Sequence, residues 1–460
     1  MSQPRALLVG ILVPGRPAQE LELSLDELGR LCKTLGFEVV GRLTQRRAST
    51  RAAQLLGRGR LKALAEWTGG SGEIHRGPPK RRKDEEDDDD ELPEEEPEEG
   101  EEEELADDSD PELPVPDGKK ATVVVVDCDL SPSQLRNLKS AAGCEVLDRS
   151  GVIIEIFSQR ARSREARLQV ELARLTYLAP RLRELGGPSE RQRGGIGGKG
   201  AGETGVELDR RRVRDRKAEI RKELAELESG SAVRRERRHE ARKVALVGYT
   251  NAGKSSLMRA LTDAEPYVAD QLFATLDTTV RRLHPEVTPP ILITDTVGFI
   301  KDLPHSLVAS FRSTLDAALE AGLLLQVVDA SDPTWRHQEA VTAAVLNEIG
   351  AAEIPRILLF NKCDRLSEDE LAERQGERPE AWTTSAKSSQ ATAALHQRIA
   401  AWFSGRDPEV ELFVPWSKAG LTGQIHAQTR VISESFEDEG VRFRVRGAQE
   451  VLDRLSAALA

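Results

Sequence analysis

The chain has 460 residues, 31% of them charged and 38% hydrophobic, and its formal net charge at pH 7 is −12. This length accommodates roughly three domains. The sequence has no run of about 18 apolar residues and no secretory pattern at its start, which argues against a membrane span and predicts a soluble, cytoplasmic protein. The four cysteines are far apart and form no C-x-x-C pair, so we expect reduced thiols and no zinc site.

The net charge is unevenly distributed along the chain. Residues 84–112 contain 21 Asp or Glu and no Lys or Arg, so the remainder has 78 − 21 = 57 acidic against 66 basic residues, a net charge of +9. A basic body is typical of a protein that binds a polyanion. The acidic run repels itself and is predicted to be a disordered insertion. It acts either as a spacer or as a competitor of RNA for the basic surface.

Residues 1–155 are predicted to form a small α/β domain around that insertion. Four apolar runs predict strands that alternate with helices: Arg5–Val13, Glu38–Leu43, Ala121–Asp127 and Glu145–Asp148. Ser24–Glu27 has the pattern of a capping box and is expected to open the first helix, which Gly36 ends. The basic segments Thr44–Arg47 and Gly57–Arg60 predict surface loops, either near phosphate or simply solvated. The alternation of strands and helices indicates a mainly parallel sheet.

Residues 156–240 are predicted to form a helical hairpin. Helical spacing places two apolar stripes on two helices, the first with Leu168, Leu172, Leu175, Ala179 and Leu182 and the second with Val213, Ile220, Leu224 and Leu227. Such stripes favour an antiparallel helix pair packed along a mutual seam. The segment Glu190–Gly205 between them is rich in glycine and arginine. Because glycine is costly to order, this segment is either an RNA contact or a flexible linker.

Residues 241–405 contain a phosphate-binding pattern. The apolar strand that starts at Val244 runs into a turn that fits G-x-x-x-x-G-K-[ST] at every fixed position. Its backbone N–H groups are expected to surround the phosphates, Lys254 to contact the β and γ oxygens, and the Ser255 hydroxyl to ligate Mg²⁺. The predicted contacts of the turn are Gly248, Tyr249, Thr250, Asn251, Ala252, Gly253, Lys254 and Ser255.

The next segment, Asp270–Thr279, is polar and without strong periodicity. Such a segment can order on a γ-phosphate and Mg²⁺ and relax on hydrolysis. One of its threonine hydroxyls is expected to complete the metal shell. By chemistry alone Thr275, Thr278 and Thr279 all remain candidates.

A second apolar strand, Ile291–Asp295, is expected to deliver a carboxylate toward Mg²⁺. Thr296, Val297 and Gly298 follow it, and the Gly298 N–H is expected to sense the γ-phosphate. At the next position, Phe299 stands where Ras-like enzymes have a glutamine that orients water. A phenyl ring cannot orient water, so we expect slow unaided hydrolysis that a partner, a polar group or a cation accelerates.

A third strand precedes a segment that selects the base. Asp364 can accept hydrogen bonds from guanine N1–H and N2–H₂, whereas adenine has no N2 donor, so GTP and GDP rather than ATP are the expected ligands. Asn361 is expected to brace the loop and the Lys362 stem to cover the purine. The predicted base contacts are Asn361, Lys362, Cys363, Asp364, Ser385, Ala386 and Lys387, with an N–H of the last three meeting guanine O6.

Residues 406–460 are predicted to form a small α+β domain. Apolar strands around Leu412–Val414 and Val441–Val445 precede a helical pattern from Glu450 to Leu459, and Gly420–Gly423 is expected to form a turn. The fold class is therefore multidomain α/β: a P-loop GTPase domain preceded by a small α/β domain with a helical hairpin and followed by a small α+β domain.

Several segments together resemble the HflX family of ribosome-associated GTPases. They are Asp148–Arg149, Ile156–Ala161, Leu168–Ala173 and, above all, Glu190–Ile196 with the sequence ERQRGGI. The resemblance spans nearly the whole chain except the acidic insertion. One departure is Gly205, which stands where the family commonly has glutamine, so one side-chain contact is missing.

The resemblance implies binding to the large ribosomal subunit, with the glycine-rich loop reaching toward the peptidyl transferase centre, and GTP-dependent separation of stalled or idle ribosomes. It also implies that Thr275 joins Ser255 in the Mg²⁺ shell and that Lys254, Thr275 and Gly298 are the catalytic residues. The nucleotide contacts that it implies in the polar segment are Phe273, Ala274, Thr275, Leu276 and Asp277. A monomer is expected, and Asn251 matches GTPases that use K⁺ in the phosphate loop.

Two other functions remain open. The first is a ribosome-assembly GTPase that acts on immature particles. The second is an RNA-binding module in which the nucleotide switches affinity and hydrolysis is incidental.

Overall fold

The structure is a computed structural model that describes residues 3–74, 120–185, 205–236, 242–262, 273, 279–301 and 318–459. The chain divides into two compact units, one of residues 1–159 and 173–217, the other of residues 160–172 and 218–460. The described residues form three sheets. The architecture is multidomain α/β, as the sequence predicts.

The first sheet has four parallel strands in the order β2-β1-β3-β4. The strands are β1 (Arg5–Leu12), β2 (Glu38–Arg46), β3 (Val123–Val126) and β4 (Glu145–Asp148), and the helices between and after them are α1 (Ala18–Thr34), α2 (Arg58–Thr68), α3 (Pro132–Ala142) and α4 (Arg149–Arg160). One apolar core packs β1, β3, α2 and α3 together around side chains such as Leu7, Leu64 and Val124.

Three local predictions about this domain are wrong. Ser24–Glu27 does not open α1, because the helix begins at Ala18 after Pro17 and both Ser24 and Glu27 are buried in its interior. The segment Thr44–Arg47 is not a loop either, since β2 continues to Arg46. There the local pattern was overridden by longer-range pairing, because β2 stays paired with β1 up to Leu12. The segment Gly57–Arg60 is not a loop, because α2 begins at Arg58 with Gly57 as its N-cap.

Acidic side chains at the carboxyl edge of this sheet are fully buried and paired with arginine. Asp127, directly after β3, accepts a hydrogen bond from Arg149 at 2.8 Å, and Arg149 also pairs with Glu27 of α1. Asp148, the last residue of β4, is likewise buried. It accepts hydrogen bonds from the N–H groups of Leu130 and Gly151, the Tyr177 hydroxyl and the Arg181 guanidinium.

The long helices are α5 (Arg164–Leu185) and α6 (Gly205–Glu236). Arg164, in the first turn of α5, forms an ion pair with Glu223 of α6 at 2.7 Å. Glu223 lies 223 − 205 = 18 residues beyond the start of α6, as an antiparallel hairpin requires. Ile220 of the second predicted stripe is completely buried, whereas most of its neighbours on α6 are exposed.

The second sheet has six strands in the order β10-β9-β8-β5-β7-β6, with only β6 antiparallel to its neighbour. The strands are β5 (Arg242–Gly248), β6 (Thr279–Arg282), β7 (Ile291–Asp295), β8 (Leu323–Asp329), β9 (Arg356–Asn361) and β10 (Trp382–Thr383). The helices are α7 (Lys254–Leu261), α8 (Trp335–Glu348), α9 (Glu368–Glu377) and α10 (Ser389–Ser404). The near-continuous burial of β5 and β8 fits central parallel strands covered on both faces.

The third sheet is antiparallel, in the order β11-β13-β12. Its strands are β11 (Glu409–Pro415), β12 (Arg430–Glu437) and β13 (Gly440–Arg446), with helices α11 (Thr422–Gln428) and α12 (Gln449–Leu459). The turn predicted at Gly420–Gly423 is wrong, because a 3₁₀ helix (Trp416–Leu421) continues there directly into α11. β12 was not predicted, since its exposed residues give it no apolar alternation.

Several predicted features lie outside the described residues. They are the acidic run 84–112, most of the glycine-rich segment from Glu190, and Ala274–Thr278 of the polar segment. Among the described residues, no helix combines the length and apolarity that crossing a membrane requires.

Candidate nucleotide site

The turn between β5 and α7 forms the base of the site. Lys254, the first residue of α7, is 6% exposed, and its ammonium donates to the carbonyls of Gly248 at 3.0 Å and Tyr249 at 2.9 Å. Burial lowers the pKa of Lys254 to about 8, while the Asp295 charge acts in the opposite direction. The cation is thus held inside the loop by the backbone, where a bound anion would stabilise its charged form.

Two glycines allow the backbones of the site to approach one another. Gly253 has φ +96°, and a Cβ there would lie 2.2 Å from Nδ2 of Asn361. A Cβ on Gly298 would lie 2.9 Å from the Thr250 Cα and 3.0 Å from the Lys254 ammonium. Any side chain at either position would therefore push apart segments that must meet around the phosphates.

The structure brings together two oxygen groups predicted to face Mg²⁺. The Ser255 hydroxyl donates to Oδ2 of Asp295 at 2.6 Å, and Asp295 is 2% exposed at the end of β7. A hydroxyl and a carboxylate are the hard oxygen groups that Mg²⁺ prefers, so the pair fits this ion. When bound, Mg²⁺ would neutralise charge that develops on the phosphate oxygens.

The residues after Asp295 are hydrogen-bonded to the phosphate loop. The Phe299 N–H donates to the Gly248 carbonyl at 3.0 Å, and the Thr250 N–H donates to the Phe299 carbonyl at 2.7 Å. The Lys301 N–H donates to the Tyr249 hydroxyl at 2.8 Å. These bonds fix Gly298 beside the loop.

The Phe299 side chain is 1% exposed and packs in an apolar cluster with Ala245, Val247 and Leu324. Its ring is therefore part of the core of the sheet. Neither the chemistry nor the position of this side chain suits it to hold a water molecule for attack on phosphate.

The segment after β9 is tied to the phosphate loop at two points. Asn361 donates from Nδ2 to the Ala252 carbonyl at 2.9 Å and accepts at Oδ1 from the Ala386 N–H at 3.2 Å. The Lys362 ammonium donates to the Asn251 carbonyl at 2.8 Å. Base-recognising and phosphate-binding segments thus form one hydrogen-bonded unit.

Asp364, the predicted guanine-selecting group, is exposed and accepts from the Ser385 hydroxyl at 2.5 Å. This hydrogen bond is the main cause that lowers the pKa of Asp364 below its ordinary value. The carboxylate is therefore kept ionised and oriented, as an acceptor of two guanine N–H groups must be.

Sequence reasoning missed Asp329, the last residue of β8. Its Oδ2 accepts from the Lys362 ammonium at 2.7 Å, and its Oδ1 accepts from the Ser331 N–H at 3.0 Å and hydroxyl at 2.6 Å. The signal was available, because Asp329 ends a buried apolar strand as Asp295 does.

Part of the predicted site is not described. Phe273 is buried, but Ala274, Thr275, Leu276 and Asp277 lie outside the described residues. The other predicted residues are described, and they lie at the carboxyl ends of parallel strands of one sheet or in the segments that follow these strands. They are Gly248 to Ser255, Asp295 to Gly298, Asn361 to Asp364 and Ser385 to Lys387. Ligands of open α/β sheets bind at this edge. The phosphate loop, the β7 aspartate and the segment after β9 define a P-loop GTPase.

Comparison with known proteins gives the family. Three family models match: "GTP-binding GTPase N-terminal" at residues 22–72 and 111–158, "GTP-binding GTPase Middle Region" at 160–238, and "50S ribosome-binding GTPase" at 243–362. The GTPase HflX of Gluconacetobacter diazotrophicus is 49% identical over 460 residues, covering 99% of this chain and 98% of that protein. The chain belongs to the HflX family and is a GTP hydrolase.

More distant relatives have the same name. The GTPase HflX of Caldanaerobacter subterraneus is 36% identical over 453 residues, which are 98% of this chain and 92% of that protein. The Escherichia coli GTPase HflX is 42% identical over 331 residues, which are 71% of this chain and 78% of that protein.

Proposed function

We propose that this GTPase acts on ribosomes in the cytoplasm: it binds the large ribosomal subunit when GTP is bound and separates stalled or idle ribosomes. The chain has four functional domains, at residues 1–155, 156–240, 241–405 and 406–460. The third hydrolyses GTP with Mg²⁺ held by Ser255 and Thr275. Lys254 and Gly298 contact the β and γ phosphates, and Asp364 recognises guanine.

The observation that carries this proposal is the form of α6. This helix has 32 residues and is therefore about 48 Å long at 1.5 Å per residue. Between Leu208 and Leu227 only Ile220 is buried. Most residues of this stretch are exposed, and such a surface suits contact with a large partner.

Charge and family description support a ribosomal partner. Outside residues 84–112 the chain has a net charge of 66 − 57 = +9, which favours a polyanion such as rRNA. The family model that matches the GTPase domain is described as a 50S ribosome-binding GTPase. Since only five residues separate α6 from β5, α6 and the phosphate loop are closely linked in sequence.

Sedimentation of the purified chain with large ribosomal subunits tests the proposal. We expect tight co-sedimentation with a non-hydrolysable GTP analogue and at least roughly tenfold weaker binding with GDP or without nucleotide. Equal binding in all three conditions would contradict it.

Density gradients separate this function from ribosome assembly. Dissociation of mature 70S ribosomes by the GTP-bound chain favours ribosome separation, whereas selective binding to immature particles favours assembly. A Lys254→Ala variant that keeps full RNA-dependent function would favour the RNA-binding module.

Asn251 favours a role for K⁺ in hydrolysis. It lies in the phosphate loop with φ +59°, and Lys362 contacts its carbonyl. A monovalent cation beside this loop would supply positive charge that Phe299 cannot. We expect faster hydrolysis in K⁺ than in Na⁺ buffer, and equal rates would refute the role of K⁺.

A further inference from the structure

The C-terminal domain exposes two aromatic side chains that contact each other. Phe436 of β12 is 71% exposed and Trp416 is 51% exposed, and their rings stack with centroids 6.5 Å apart and planes 16° from parallel. Single exposed apolar residues are common on protein surfaces, but paired aromatics are typical of contact sites. We call Trp416 and Phe436 the aromatic edge.

Strand register shows why Phe436 is uncovered. Phe436 lies directly opposite Val441 of β13, and residues paired in this way share one face of a sheet. Val441 is 4% exposed on the core face, so Phe436 also lies on the core side. β12 is an edge strand, and its residues from Ile432 to Glu437 are exposed. The aromatic edge is thus an extension of the core that the described part of the chain leaves bare.

The surroundings of the aromatic edge are acidic. Trp416 donates from Nε1 to the Asp438 carbonyl at 3.0 Å and from its backbone N–H to the Glu439 carbonyl at 3.2 Å. The segment Glu434–Glu439 contains four Asp or Glu and no Lys or Arg. Asp438 and Glu439 are both exposed.

Among the described residues, an arginine offsets one of these four charges, that of Glu437. On the solvent face of β13, Arg442 pairs with Glu437 at 2.7 Å, and Arg444 and Arg446 pair with Glu409 at 2.7 and 2.9 Å. Cations paired in this way attract phosphate weakly. A nucleic acid would therefore meet net repulsion at the aromatic edge.

We propose that the aromatic edge docks a basic segment of a protein of the large ribosomal subunit, with an apolar side chain seated on Phe436 and Trp416. Lys or Arg residues of that segment meet Asp438 and Glu439. This inference rests on the proposed function, because the ribosome supplies the partner. It assigns the C-terminal domain a protein contact, separate from the contact with a large partner that is proposed for α6.

Two variants of the full-length chain test the proposal with a GTP analogue present. Phe436→Ser removes the apolar contact, and the double variant Asp438→Lys, Glu439→Lys reverses the charge beside it. Leu23→Ser, at an apolar residue that is 39% exposed on α1, is the matched control. Dissociation constants are measured for purified large subunits and for deproteinised large-subunit rRNA.

We expect both variants to weaken subunit binding by on the order of tenfold, as loss of a central contact does. Affinity for deproteinised rRNA and the basal rate of GTP hydrolysis should stay at the wild-type values. The Leu23→Ser control should bind like the wild type.

Four results would overturn the proposal. Unchanged subunit affinity of both variants would show that nothing docks there. Tighter binding of the charge-reversal variant would identify RNA as the occupant. Self-association of the wild type that Phe436→Ser abolishes would identify a second copy of the chain. Failure of the wild type itself to bind subunits would refute both this proposal and the proposed function, whereas equal binding of wild type and variants refutes only the docking.

Discussion

The first and second sheets of this protein place aspartates at the same structural position and use them differently. In the N-terminal sheet, Asp127 and Asp148 follow or end parallel strands and are paired with arginines of the chain itself. In the GTPase sheet, Asp295 and the exposed Asp364 accept hydrogen bonds from the hydroxyls of Ser255 and Ser385. Both sets lie at the edge where parallel sheets commonly bind ligands.

The difference lies in what a ligand would have to displace. A buried arginine that neutralises a carboxylate leaves a large uncompensated charge when it is removed, so such a pair fixes structure. A hydrogen bond from a neutral serine hydroxyl to a carboxylate is weaker, so Mg²⁺ or guanine can take the place of the hydroxyl. The N-terminal aspartates therefore hold helices in place, whereas the GTPase aspartates are kept ready for ligands.

The largest expected effect follows from Asp364→Asn. An asparagine cannot accept both guanine N–H groups, so we expect a loss of about 4 kcal/mol, or about 1000-fold, in GDP affinity by titration calorimetry. Xanthosine diphosphate should gain affinity, because its C2 carbonyl accepts from the new amide. The matched control is Asp369→Asn, at an exposed aspartate on α9, and it should bind GDP normally. Retained GDP affinity in Asp364→Asn would refute the base assignment.

Arg149→Met tests the structural role of the buried ion pairs in the N-terminal domain. It leaves Asp127 and Glu27 buried without this cation, so we expect the N-terminal domain to lose about 3 kcal/mol of unfolding free energy in urea titrations. GDP affinity should be unchanged. Arg30→Met, at an exposed arginine on α1, should leave stability unaltered. If Arg149→Met destabilised the protein no more than this control, the structural role of the buried pairs would be wrong.

Asp329 shares a property with each set of aspartates: it lies at the nucleotide site, and it is paired with a cation of the chain itself. It lies in the GTPase sheet but pairs with Lys362 of the same chain, which also contacts the phosphate loop. We expect Asp329→Asn to weaken GDP and inosine diphosphate binding equally, by about 1 kcal/mol or roughly fivefold. Asp332→Asn, in the loop before α8, is the control and should not alter either affinity. A change in preference between the two bases would show that Asp329 acts on the base rather than on Lys362.

The sequence predicted the GTPase site better than the rest of the chain, for physical reasons. The phosphate loop and the Asn361–Asp364 segment have residue types that local backbone chemistry requires. Both can therefore be recognised in the sequence without knowledge of tertiary contacts. The alternation of apolar runs likewise predicted the two mainly parallel sheets. The prediction from Ser24–Glu27 failed because this cap pattern lies inside a helix. There Glu27 accepts a hydrogen bond from Arg149, which is 122 residues away in sequence. β12 could not be predicted from its sequence, because an exposed edge strand needs no alternation of apolar and polar residues.

The central claim is that the GTPase site binds nucleotide unaided but needs a partner for fast hydrolysis, because Phe299 is packed in the core. The most direct test is the steady-state rate of GTP hydrolysis with and without saturating large ribosomal subunits. We expect the subunits to raise the rate at least roughly tenfold, since partners commonly supply the missing water-orienting or charge-stabilising group. An unchanged rate, at subunit concentrations that bind the GTP-bound chain, would contradict the account.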